Sequence, residues 1–159
     1  MGATNGVGTA QENDRHRTEP PATMLSSLGI DIIEIHHLRQ ALQRRPRLTA
    51  RLFTERERAY CDRRADPVPH YAARFAAKEA TAKAIGHWLR WQEVEVLNDE
   101  SGRPYLVLAG EAAALAHIED GGRLLVSLSH SREYAVACVG LALPTDLDSD
   151  ESLPRGVWT

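Results

Sequence analysis

The stretch Arg74-Phe75-Ala76-Ala77-Lys78-Glu79-Ala80-Thr81-Ala82-Lys83-Ala84-Ile85-Gly86 limits this chain more than any other. Alanines and long unbranched side chains fill it, and such residues lose little freedom in a helix. Gly86 marks its end, because glycine readily takes the left-handed conformation that closes a helix. At ~100° per residue the two sides of the helix differ. Ala73, Ala76, Ala77, Ala80, Thr81 and Ala84 make a half with no large side chain, able to lie very close to a neighbour. The other half carries Arg74, Lys78, Glu79 and Lys83, with Tyr71, Phe75 and Ile85 among them. Three cations around one carboxylate suit a site that holds a phosphate and a divalent metal together. A solvated surface helix is the plainer alternative, with Glu79 and Lys83 as an i,i+4 pair worth ~0.3–0.5 kcal/mol.

The 159 residues allow one domain with a real core. No run of ~18 apolar residues crosses a membrane, and the polar N-terminus has no apolar signal region. Cys61 and Cys138 fit no metal spacing and are expected as reduced thiols in a cytoplasmic protein. Residues 1–23 carry net −1 and residues 144–159 net −3, so the total of −3 leaves a core of +1. A tail over 1–23, a domain over 24–142 and an acidic tail over 143–159 are expected, both tails being polar and disordered. A core near +1 speaks against a nucleic-acid module.

Met24 to Ile35 predicts a buried strand, from Leu28, Ile30, Ile32, Ile33 and Ile35. Asp31 stands inside that run, where a carboxylate is costly unless paired or bound to a metal; a strand-end Asp facing water is the alternative. A helix follows over about 37–44, ended by Arg45-Pro46. Its Arg39, Arg44 and Arg45, with Arg47 and Arg51 beyond, form either a solvated face or a dock for an acidic partner. Thr54-Glu55-Arg56-Glu57 has the form of a capping box and starts a helix to about Arg63. Pro67 and Pro69 break the chain before the central helix. Beyond it, Val94–Leu97 and Pro104–Leu108 pair across a turn at 98–102, and a short helix spans about 111–118. The pair 124–130 and 134–141 turns at Ser131-Arg132-Glu133. The fold class is α+β with antiparallel pairing on a long central helix. Ser127 and Ser129 fall on one strand face and His130 on the other, which denies them the geometry of a nucleophilic dyad and leaves a phosphate- or ribose-binding edge.

These blocks resemble holo-acyl-carrier-protein synthase, the small class of 4′-phosphopantetheinyl transferase. The resemblance rests on Gly29-Ile30-Asp31, Phe53-Thr54-Glu55-Arg56-Glu57, the helix from Arg74 to Gly86, and Val126-Ser127-Leu128-Ser129-His130, in that order. It covers roughly residues 24–142. It implies the 4′-phosphopantetheinyl transferase fold and transfer of the phosphopantetheine arm of coenzyme A to a serine of an acyl carrier protein, in fatty-acid or polyketide synthesis. It implies magnesium held by Asp31 and Glu79, with Lys83 at the leaving phosphate and Glu79 or a metal-bound water as the base. Arg74, Lys78, Gly86, Ser129 and His130 are implied as coenzyme contacts beside Lys83. Arg39, Arg44, Arg45 and Arg51 are implied as the dock for the acidic carrier. A homotrimer with its sites between neighbours is implied too. A silent carrier-binding relative and a subunit of a larger synthase are the alternatives. Two departures stand out: His37 replaces an arginine common in the family, and Gly86-His87-Trp88-Leu89-Arg90-Trp91 replaces a longer glycine-rich loop.

Overall fold

The computed structural model describes residues 22–145, so both expected tails lie almost wholly outside the described residues. Strand β1 (Thr23–Glu34) leads into α1 (Ile35–Arg44), α2 (Leu48–Leu52) and α3 (Glu55–Cys61). The central helix α4 (Val68–Ile85) follows, then a 3₁₀ turn at Trp91–Glu93. Strands β2 (Val94–Asn98) and β3 (Pro104–Leu108), helix α5 (Gly110–Leu115), and strands β4 (Arg123–His130) and β5 (Tyr134–Pro144) complete the chain. The strands form an antiparallel sheet in the order β1-β5-β4 and a separate β2-β3 hairpin. This is the expected α+β class, with the larger sheet packed on α4.

The central helix starts six residues before Arg74. Pro69 lies in its first turn, where a missing N–H costs nothing, so proline opens the helix instead of breaking the chain ahead of it. Gly86 closes it at φ 77°, as expected. The alanine half is buried: Ala76, Ala77, Ala80 and Ala84 pack with Val94, Val96, Val139, Leu141 and Leu143. The capping box is present in full, with Thr54 Oγ1 accepting from the Glu57 N–H and Glu57 accepting from the Thr54 N–H at 2.8 Å. Strand β5 continues to Pro144, past the expected edge at 142, because Leu143 is buried and pairs with Met24.

Strand β1 departs from expectation. Ser27, Gly29, Asp31 and Ile33 turn toward α4, whereas Leu28, Ile30 and Ile32 are 55%, 55% and 59% exposed. Beside them on the same outer face stand Cys138 and Ser127 opposite Ile30, and Gly140 and Leu125 opposite Leu28. An unbroken apolar run reads as a strand covered on both sides, and one chain covers one side only.

Candidate active site

The carboxylates meet where β1 and α4 touch. A Cβ at Gly29 would lie 1.9 Å from the Ala80 carbonyl oxygen and 2.7 Å from the Ala84 nitrogen, so only glycine allows this approach. Ser27 reinforces it by donating to the Ala84 carbonyl. Two residues on, the strand period returns Asp31 to the same face, against the turn of α4 that carries Glu79 and Lys83. Lys83 donates to Asp31 Oδ1 at 2.9 Å and to the Ile30 carbonyl at 3.1 Å. Asp31 Oδ2 is buried and has no partner. Burial, and then the charge of Asp31, raise the Glu79 carboxyl above the usual range, while Lys83 pulls it back.

An acceptor buried beside a second carboxylate with nothing donating to it is the arrangement a divalent cation relieves. Among the described residues no three His, Cys, Asp or Glu side chains cluster as a complete metal cage. The protein thus offers two oxygen donors, which fits magnesium, an ion that keeps waters and takes phosphate oxygens.

The other face of α4 carries a cationic pocket. Arg74 is 3% exposed, donates to Asn98 Oδ1 at 2.7 Å, and lies 3.9 Å over the Tyr60 ring. Arg64 lies 4.3 Å from the same ring. One turn before Arg74, His70 stands 5.8 Å from His130 and 6.0 Å from Tyr60, ring to ring. Arg74 Nε is buried and unbonded. Burial first, then Arg64, His130 and Arg74, hold His70 below its ordinary value. Cations gathered with so little to neutralise them make a site for an anion.

The two clusters are not adjacent in one chain. Glu79 and Arg74 are five positions apart, about 140° around the helix and about 7.5 Å along it. The structure gathers Asp31, Glu79 and Lys83, and separately Arg74 and His130. Ser129 sits on the outer face of the sheet, level with Ile32, while His130 belongs to the opposite face. Tyr60, Arg64, His70 and Asn98 were not anticipated; the faint signals were the Arg63-Arg64 pair and a histidine one turn before Arg74.

Lys78 is the clear correction. Its ammonium is fully buried, pairs with Glu57 Oε2 at 2.8 Å, and donates to the carbonyls of Trp91, at 2.6 Å, and Val94. Glu57 also accepts from the Val96 N–H at 3.0 Å. Desolvation lowers the lysine's pKa, and Glu57 opposes it. All three donors are committed inside the protein, so Lys78 reaches no phosphate here. A helical wheel places a cation at a given angle but does not say whether that angle is outside.

The basic stretch is mixed. Arg44 and Arg45 are exposed. Arg39 is clamped on Asp66 by two hydrogen bonds, at 2.7 and 3.2 Å, and Arg51 faces the cleft beside Trp88. His37 lies against Glu34 at 3.2 Å.

Residues 27–139 match the model of the 4′-phosphopantetheinyl transferase superfamily. A holo-[acyl-carrier-protein] synthase of Syntrophotalea carbinolica is 48% identical over 122 residues, 72% of this chain and 94% of its own. The one from Moorella thermoacetica is 48% identical over 112 residues, 69% and 88% of the two chains. Among solved structures, the Bacillus anthracis synthase in complex with CoA (3′,5′-ADP) superimposes with TM-score 0.63 at 33% identity, covering 76% of this chain and 98% of its own.

Proposed function

The chain belongs to the 4′-phosphopantetheinyl transferase superfamily, and from that premise we propose that it converts an apo acyl carrier protein to its holo form with coenzyme A. The observation that carries this reading is the Asp31–Glu79–Lys83 cluster, with its unbonded buried oxygen, held together by the Gly29 contact. The serine oxygen of the carrier attacks the phosphorus that bears the pantetheine arm. The bond from that phosphorus to the other phosphate breaks, and adenosine 3′,5′-bisphosphate leaves. Glu79, its carboxyl raised by burial, takes the serine proton. Lys83, released from Asp31, offsets the charge that grows on the leaving phosphate. Asp31 and Glu79 would hold magnesium, which when bound supplies charge neutralisation at the pyrophosphate. Arg74 and His130, joined by Arg64 and His70, hold the 3′-phosphate, and Gly86 and Ser129 line the coenzyme's path.

Three copies of the chain complete the site. The exposed Leu28, Ile30, Ile32 and Leu125 give an apolar face for neighbours to cover. Covering it would let the carboxylate cluster of one protomer face the cationic pocket of the next. The exposed Arg44, Arg45 and Arg51 steer the acidic carrier, while Arg39 is already paired with Asp66. No helix among the described residues is long and apolar enough to cross a membrane. Two free thiols, one of them Cys61 pushed up to about 12 by burial, suit a reaction in the cytoplasm. The test is intact-mass analysis of an apo carrier incubated with coenzyme A and magnesium. A gain of one phosphopantetheine is expected, and no gain with several carriers would sink the reading.

A further inference from the structure

A cleft of about 530 Å³ opens between α2, the start of α3 and the segment that follows α4, and beyond the steering charge of Arg51 no step above uses it. Its floor is fixed: Gln92 Nε2 donates to the carbonyls of Ala50, Arg51 and Phe53, at 2.9, 3.3 and 3.1 Å. Its aromatic wall is Trp88, 68% exposed, set edge-on against Trp91 at 4.9 Å. Trp91 meets Phe75 edge to face in turn, at 5.4 Å, and Phe75 is one helical turn before Glu79. The cleft therefore adjoins the helix that carries the reacting carboxylate.

Its charge is mostly positive. Arg51, Arg58 and Arg90 line it with Glu55. Arg90 is matched by Glu93 at 3.3 Å. Among the described residues neither Arg51 nor Arg58 has a carboxylate partner, and the Nε of Arg58 is buried without any bond. An exposed indole between uncompensated guanidiniums is a costly surface unless something apolar and acidic covers it.

We propose that this cleft receives an acidic segment of the carrier protein that presents one apolar side chain, as a contact additional to the basic helix α1. The apolar side chain packs on Trp88, and carboxylates meet Arg51 and Arg58. The short connection from Gly86 to Trp91 is what leaves Trp88 standing at the rim. The inference rests on the transferase reading, because it takes the carrier as the partner. Charge favours the carrier over the coenzyme's pantetheine arm, which is neutral and offers the guanidiniums no carboxylate.

The test compares wild type with Trp88→Ala and Arg90→Gln, both at exposed positions, and with Arg58→Gln. Michaelis constants are measured for an apo bacterial acyl carrier protein and for coenzyme A. Trp88→Ala should raise the carrier's constant about tenfold, as loss of an aromatic anchor does, while that for coenzyme A hardly moves. Arg58→Gln should make carrier binding less sensitive to salt. A rise confined to coenzyme A, or no rise for either substrate, overturns the proposal. Calorimetry of the apo carrier binding to each protein separates this failure from failure of the transferase reading. If wild type loads no carrier, affinity lost on Trp88→Ala still supports the cleft, and unchanged affinity overturns it.

Discussion

The two faces of α4 hold their charges in opposite ways. On one, Asp31 and Glu79 are brought together by backbone contact, glycine against alanine, and Lys83 bridges from the same helix. On the other, Arg74 and Arg64 are held by the Tyr60 ring and Asn98 in a pocket where like charges crowd. Each face keeps one buried atom unbonded, an acceptor on Asp31 and a donor on Arg74. Unsatisfied groups of opposite character on opposite sides fit the proposed trimer, in which a single chain does not close the site. On the proposed reading the carboxylate half serves the reacting atoms and the cationic half grips the coenzyme.

Mutations that touch one half should therefore leave the other's property intact. The largest effect belongs to the carboxylates. Asp31→Ala and Glu79→Ala should each cut transfer by more than about a hundredfold, since even loss of a group behind a metal ligand costs 10–100-fold, with circular dichroism unchanged. Near wild-type turnover in a folded variant would remove that residue from the set of ligands.

Gly29→Ala comes next. The strand must move off the helix, at a cost of roughly 1–3 kcal/mol for an overpacked contact. Both melting temperature and turnover should fall, while binding of adenosine 3′,5′-bisphosphate by calorimetry stays close to wild type. An equal loss of that binding would mean that the halves are not independent.

Lys83 and Arg74 sharpen the division further. Lys83→Ala should lower kcat more than it raises the Michaelis constant for coenzyme A, as for a group acting where charge develops. Arg74→Ala and His130→Ala should mainly weaken coenzyme binding, and the defect should vanish with dephospho-coenzyme A. A variant of either residue that still discriminates the two coenzymes as wild type does would place that residue outside the 3′-phosphate pocket.

The smallest effect concerns pH. His70 titrates below its unfolded value, so between the two values the unfolded chain binds more protons. Stability should then decline as pH falls through the ordinary histidine range, about 6.5, toward the lowered folded value. His70→Gln should flatten that limb of a melting-temperature profile. Inorganic phosphate should flatten it too, because an anion in the pocket favours the charged imidazole. A profile that His70→Gln leaves unchanged would show that burial and the cationic crowding do not hold His70 below its ordinary value.

Much of this was legible in the sequence, and the gaps have physical causes. The capping box at Thr54 and Glu57, the glycine stop at Gly86 and the isolated Asp31 are local signals, and each landed where local chemistry put it. Lys78 did not, because an alanine-rich helix offers little apolar contrast to say which side is inside. Its counter-ion Glu57 is 21 positions away and had already been given a local task at the helix start. The same limit hid the open face of β1: alternation tells one face from the other but not which is covered, or by what. Tyr60, Arg64 and Asn98 reach Arg74 only through tertiary packing.

The buried Glu57–Lys78 pair bears on how such a chain tolerates insertions and deletions. Lys78 fixes the carbonyls of Trp91 and Val94 while Gly86 terminates the helix, so the intervening connection is pinned at both ends by groups that take no part in it. Lengthening a connection held in this way costs little, about 0.6 kcal/mol for each doubling of a flexible loop. Leu89, 1% exposed, is part of the core and cannot be lost, but insertions at the exposed His87 or Arg90 should not shift Glu79. Its neighbour Lys78 is the anchor that makes that freedom harmless.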